Sequence, residues 1–137
     1  MQFKTIKEIN DDLVSKKFSV EELIKDTFAL IKEYKALNCF ITLNEESALA
    51  RAKKVKVNKD SHLLSGIPIA QKDLFCTKGI KTTCGSKMLE SFYPPYSSKV
   101  EEALNAAGSI CIGKTNMDEF AMGSSNETSF FGNVHNP

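Results

Sequence analysis

The chain has 137 residues, enough for one domain of ordinary size. Its 42% hydrophobic and 26% charged content is that of a chain that buries a core. The 18 basic and 17 acidic residues leave a formal charge of +1, which argues against a broad nucleic-acid-binding face and leaves room only for a small local contact.

MQFKTIKEIN lacks the apolar centre of a signal peptide, and no run approaches the length of a membrane span, so the expected location is the cytoplasm. Thr5 opens TIKE, a capping-box pattern with Glu8, and predicts a helix to about Ser15. Ser19 opens SVEE, a second box with Glu22. The apolar positions Val20, Leu23, Ile24, Leu30 and Ile31, with Thr27 and Tyr34, then lay a stripe along one helix face. The KKF link between the two helices predicts a helical hairpin over 1–36. NCFITL (38–43) reads as a short strand, and Asn44 is expected to cap a third helix through Lys54. KKVKVNKDSHLL follows as a polar connector whose basic residues form a solvated face.

Gly66 to Lys72 reads as a buried strand. YPPY (93–96) forces an extended or turning backbone, because proline restricts itself and its predecessor. Ser98 opens SKVE, a third capping box, and Gly108 suits the left-handed end of that helix. SICIG (109–113) is a buried strand, NMDEFAM (116–122) a short helix, and GSSNETSFFGNVHNP a tail without periodicity. Strand, helix, strand in that order predicts a parallel α/β sheet over 37–137. Two strands and a short third do not complete such a sheet, so the expected chain is the first part of a larger domain.

Cys39, Cys76, Cys84 and Cys111 contain no C-x-x-C pair and read as reduced and structural. His62 and His135 lack ligand spacing, so no metal site is expected. The chemistry centres on GIPIAQKDLF (66–75), a strand that ends by presenting a lysine. Alternation puts Pro68, Ala70 and Lys72 on one face and Ile67, Ile69 and Gln71 on the other. One reading carries Lys72 past the strand end into water, paired with Asp73. The other holds it in a dry pocket, where desolvation favours the neutral amine that can accept a proton from a hydroxyl. Strand C-terminal ends are where open α/β sheets place their sites. GSSNETS (123–129) is either a flexible loop or a backbone approach to a ligand. It contains no phosphate-loop pattern, and the chain has no G-x-S-x-G elbow. Asp118 and Glu119 are adjacent on the expected helix, point in different directions, and suit a helix N-terminus better than a carboxylate pair.

LLSGIPIAQKDLFCTKGIKTTCGSKML, followed by GKTNMDEFAMGSSNETSFFGNVHNP, resembles the amidase signature family. CTKGIKTTCGSKML and KTNMDEFAMGSS resemble its tRNA-dependent amidotransferase branch. The resemblance implies the N-terminal part of an amidase-signature α/β fold, in which the helical hairpin precedes an incomplete parallel or mixed sheet with flanking helices. It implies a Ser–cisSer–Lys triad in which Lys72 is the neutral base. Met122, Gly123 and Ser124 would lie in the segment lining the amide pocket. In the family both serines follow the HNP segment, so Ser124 and Ser125 do not match them. The implied activity is hydrolysis of L-glutamine to ammonia. A three-subunit complex with subunits B and C would use that ammonia, ATP and Mg²⁺ to convert Glu-tRNA(Gln) to Gln-tRNA(Gln), with no cofactor in this chain. A general small-amide amidase and a non-catalytic interaction remnant are the alternatives.

Overall fold

Two reciprocal capping boxes start the first two helices. In α1 (Ile6–Val14) the Thr5 hydroxyl accepts the Glu8 amide while the Glu8 carboxylate accepts the Thr5 amide. Ser19 and Glu22 repeat the arrangement at α2 (Val20–Glu33). Replacing Ser19 with alanine is expected to cost about 1 kcal/mol of stability, read as a lowered urea midpoint with an unchanged m-value. The computed structural model describes residues 4–137, so the first three residues of the stretch expected over 1–36 lie outside the described residues.

The remaining elements are β1 (Phe40–Leu43), α3 (Glu45–Ala52), β2 (Pro68–Lys72), α4 (Lys99–Ala106) and β3 (Ile110–Thr115). The sheet order is β1-β3-β2. β2 and β3 are parallel and joined through α4, as the strand–helix–strand pattern predicts, but β1 runs antiparallel to β3. The sheet is therefore mixed. The orientation of β1 is set by long-range pairing, which no local pattern encodes.

One apolar core joins the helices to the sheet. Leu23, Ile24 and Phe28 of α2 and Ala48 and Ala52 of α3 meet Ile67, Ile110 and Ile112, while Leu13 closes the α1 end. Phe28 is buried although it lies off the expected stripe, and Tyr34, expected on that stripe, is exposed at the end of α2. In the connector, Val55 and Val57 tuck against the core while Lys53, Lys54, Lys56 and Lys59 face water.

Three local expectations are corrected. Asn44 precedes α3 but makes no side-chain cap, because its Nδ2 donates across the sheet to the Cys111 carbonyl at 3.0 Å. Ser98 caps α4, but Glu101 does not return to it. The Glu101 carboxylate is buried and accepts from Gln71 Nε2 at 2.7 Å. NMDEFAM is one 3₁₀ turn, Glu119–Ala121, broken by left-handed Phe120 (φ 50°).

Candidate active site

The end of β2 is placed by its pairing with β3. Ile69 pairs with Cys111 and Ala70 with Gly113, so Ile112 is an extra residue on β3. Beyond this bulge Gln71 pairs with Lys114 and Lys72 with Thr115, and paired residues point to the same side of a sheet. Gln71 is buried, donating to Glu101 and accepting from Thr77 Oγ1 at 2.9 Å. Lys72 turns the other way and is exposed, and among the described residues its Nζ makes no hydrogen bond or ion pair.

Directly after Lys72 the backbone dives inward. Asp73 is fully buried. Its Oδ2 accepts the Thr83 amide at 2.9 Å and the Thr83 hydroxyl at 2.5 Å. Asp73 thus pairs with the loop behind the strand and not with Lys72. Its other oxygen, Oδ1, has no hydrogen bond and lies 3.7 Å from Lys114 Nζ. Lys114 is also fully buried and donates to the Phe75 carbonyl at 2.5 Å and to Thr82 Oγ1 at 3.0 Å. Burial pulls its ammonium below the usual lysine range, against the opposing pull of Asp73. Burial pushes the Cys84 and Cys111 thiols up, which makes poor nucleophiles of both. All four cysteines are free.

Lys72 stands at the rim of a cleft of about 400 Å³ whose lining includes Thr115, Asn116, Asp118, Gly123, Ser124 and Asn126. The far wall is the 116–126 segment, held by its own side chains. Asp118 accepts the Asn126 amide at 2.9 Å, the Thr128 amide at 3.2 Å and the Thr128 hydroxyl at 2.9 Å. Asn116 donates to the Asn38 and Gly132 carbonyls and accepts from Ser129 Oγ at 2.6 Å. Glu119 turns away to accept from Ser86 Oγ at 2.5 Å. A Cβ on Gly123 would sit 2.6 Å from the Asp118 carboxyl carbon, so glycine is required for the loop to fold over that carboxylate. Phe120, Ala121 and Asn126 all have left-handed backbones, at φ 50°, 61° and 64°. Each such non-glycine residue stores about 1–3 kcal/mol, and strain of this kind gathers where function fixes the backbone.

Hydrogen bonds from the Asn126 and Thr128 amides hold the Asp118 carboxyl below its usual 3.8. A depressed carboxyl contributes stability above its unfolded value and loses it as pH falls through the folded value. The 123–128 loop is therefore expected to stay ordered at pH 5 and to loosen below about pH 3.8. Amide exchange at Asn126 and Thr128 measured along a pH series reads this directly, and unchanged protection at pH 2 refutes it.

The structure thus brings Lys72, Gly123 and Ser124 to one cleft. Met122 is 84% exposed and does not line it. Ser125 lines it and donates to Glu127 at 2.7 Å. Sequence reasoning passed over Asp73, Thr83 and Lys114 as a unit, and Asn116 as the hub of the tail. The pairing of an in-strand lysine with the aspartate of QKD was the available signal for the first. Among the described residues no three His, Cys, Asp or Glu side chains gather into a metal-binding group, and no helix is long and apolar enough to cross a membrane.

Lys72 thus stands at the C-terminal end of a parallel strand and faces a glycine–serine loop beside a mixed α/β sheet, the position at which open α/β sheets place their sites. The Amidase family model matches residues 22–137, and the chain belongs to that family. Over its whole length it is 55% identical to the A subunit of the glutamyl-tRNA(Gln) amidotransferase of Coxiella burnetii (strain RSA 493 / Nine Mile phase I) and 52% identical to that of Pseudomonas fluorescens (strain SBW25), covering 29% of each. The chain therefore spans less than a third of the length of these curated relatives. The crystal structure of the corresponding glutamyl-tRNA(Gln) amidotransferase polypeptide from Thermotoga maritima superposes with a TM-score of 0.76 at 33% identity, over 97% of this chain and 27% of that one. A crystal structure of an amidase superposes with a TM-score of 0.83 at 27% identity, over 97% of this chain and 31% of that one.

Proposed function

We propose that this chain forms the N-terminal part of the glutamine-hydrolysing polypeptide of a tRNA-dependent amidotransferase, and that Lys72 is its catalytic base. The observation that carries the reading is the placement of Lys72. Its amine leaves the end of β2 with no counter-ion among the described residues and faces the cleft that Gly123 and Ser124 also line. Among the described residues Lys72 is exposed and not enclosed in a dry pocket, so what supports the base role is its freedom from a carboxylate partner, since an adjacent negative charge favours the ammonium. The nearest acid in sequence, Asp73, is instead turned inward to Thr83 and Lys114.

In this reading Lys72, as a neutral amine, draws a proton through a middle serine from a nucleophilic serine. Both serines come from sequence that follows the HNP segment in the family. The nucleophile attacks the glutamine side-chain amide, the tetrahedral intermediate expels ammonia, and water hydrolyses the glutamyl ester. Met122, Gly123 and Ser124 belong to the segment proposed to line the amide pocket. The ammonia is consumed in the complex with subunits B and C, where ATP and Mg²⁺ activate Glu-tRNA(Gln). The expected setting is the cytoplasm.

The test is turnover of L-glutamine against a simple aliphatic amide by the full-length polypeptide, with and without its partners. Glutamine turnover that rises with partner subunits and Glu-tRNA(Gln) supports the reading. Equal, partner-independent turnover of simple amides shows a general amidase instead.

A further inference from the structure

We propose that the buried Asp73–Lys114 pair is a positioning device for Lys72, fixing the last residue of β2 so that its side chain leaves the sheet into the 116–126 cleft. The inference rests on the reading of Lys72 as the base.

Every polar group of Asp73 is tied down or faced. Its amide donates to the Thr115 carbonyl at 3.2 Å, and its carbonyl accepts from the Cys84 amide at 3.1 Å. Oδ2 holds the amide and hydroxyl of Thr83, and Oδ1 faces Lys114. Lys114 pairs with Gln71 and reaches the Phe75 carbonyl, so it clamps the chain on both sides of Lys72. It also holds Thr82, the neighbour of Thr83, so strand and loop are locked to one another. Lys72 itself is left with side-chain freedom but no backbone freedom.

Stability alone does not account for such a pair. Taking two charges out of water carries a large desolvation penalty, and an apolar substitute of similar volume is often as stable or more so. Both residues have no solvent exposure, and one carboxylate oxygen has only the 3.7 Å contact. What the pair supplies is a fixed direction for the residue beside it, and misplacing a reacting group by about 1 Å costs on the order of 100-fold in rate.

The test uses full-length enzyme and follows glutamine turnover in Asp73→Asn/Lys114→Met, Thr83→Val, Thr83→Ser and Lys72→Ala. The double variant removes both charges. Thr83→Val removes the hydroxyl on Asp73, and on the Gly85 amide, at constant shape, while Thr83→Ser restores it. The double variant is expected to lose about 100-fold in kcat and Thr83→Val about 10-fold, each with KM within about threefold, and Thr83→Ser to keep wild-type kcat. A loss confined to KM, or an equal loss in Thr83→Ser and Thr83→Val, overturns the proposal. If the double variant does not fold, the Thr83 pair decides. Lys72→Ala separates the two levels. If it is inactive while folded double and Thr83→Val variants turn over like wild type, the positioning role fails alone. If it still turns over glutamine, the reading of Lys72 fails and the positioning role with it.

Discussion

Lys72→Ala in the full-length enzyme is expected to lower glutaminase kcat by about 10³-fold, within the range that a positioned general base contributes. The fold should not notice. Lys72 is exposed and makes no polar contact among the described residues, and such surface substitutions change stability by roughly 0.5 kcal/mol or less. The thermal midpoint and the pattern of amide protection should therefore match wild type. Lys72→Arg sharpens the prediction. It keeps the positive charge and most of the reach, but a guanidinium does not give up its proton in a protein. If Lys72 served only to attract or orient the substrate carboxylate, arginine would restore activity. If it accepts a proton, arginine is as inactive as alanine. Stopped-time ammonia release from glutamine by the three proteins decides, and wild-type turnover in either variant removes Lys72 from the chemistry.

What was legible in the sequence was what depends on neighbours a few residues apart. The boxes at Thr5 and Ser19 form as written because both partners lie within one turn and are exposed, so nothing competes for them. The third box fails on its second half for a long-range reason. Glu101 is claimed by Gln71, 30 residues earlier, whose amide is buried by the sheet and needs an acceptor. NMDEFAM has the polarity of a short helix, but Asp118 accepts from residues 126 and 128, and Phe120 and Ala121 take left-handed backbones as the segment folds round it. Alternation put Lys72 and Gln71 on opposite faces but could not say which face is buried, and the structure buries Gln71 and exposes Lys72. It could not reveal Lys114. In SICIGKT that residue resembles the polar end of a strand, and the carbonyl it holds lies 39 residues earlier. The tail looked featureless for the same reason, since Asn38 and Asn116 pin it through carbonyls at 131–133.

The second large effect concerns stability. Lys114→Met leaves the Asp73 carboxylate buried with no counter-charge. Asp73→Asn leaves the Lys114 ammonium in the same position. Removing one partner of a buried ion pair costs about 3–5 kcal/mol, a large part of the roughly 5–15 kcal/mol that holds a typical domain together. The double variant should be more stable than either single. Of its remaining groups, the Thr82 hydroxyl still donates to the Ile80 carbonyl, while the Phe75 carbonyl is left to share the single Thr77 hydroxyl proton with Gln71 Oε1. In Asp73→Asn the amide oxygen can go on accepting from Thr83, and only the new amide nitrogen lacks an acceptor, so recovery is substantial and incomplete. Urea unfolding of the four proteins gives the coupling directly, and single-variant costs that simply add would show that the two residues do not act as a unit. The pH dependence carries a second signature. Burial lowers the Lys114 ammonium below its unfolded value of 10.5, so between the two values the unfolded chain holds the extra proton. Stability contributed by this site therefore rises with pH as 10.5 is approached, and the difference in unfolding free energy between wild type and Lys114→Met should widen over that interval. A difference that stays constant from about pH 7 to 10 would mean that the Lys114 site binds its proton equally in both states.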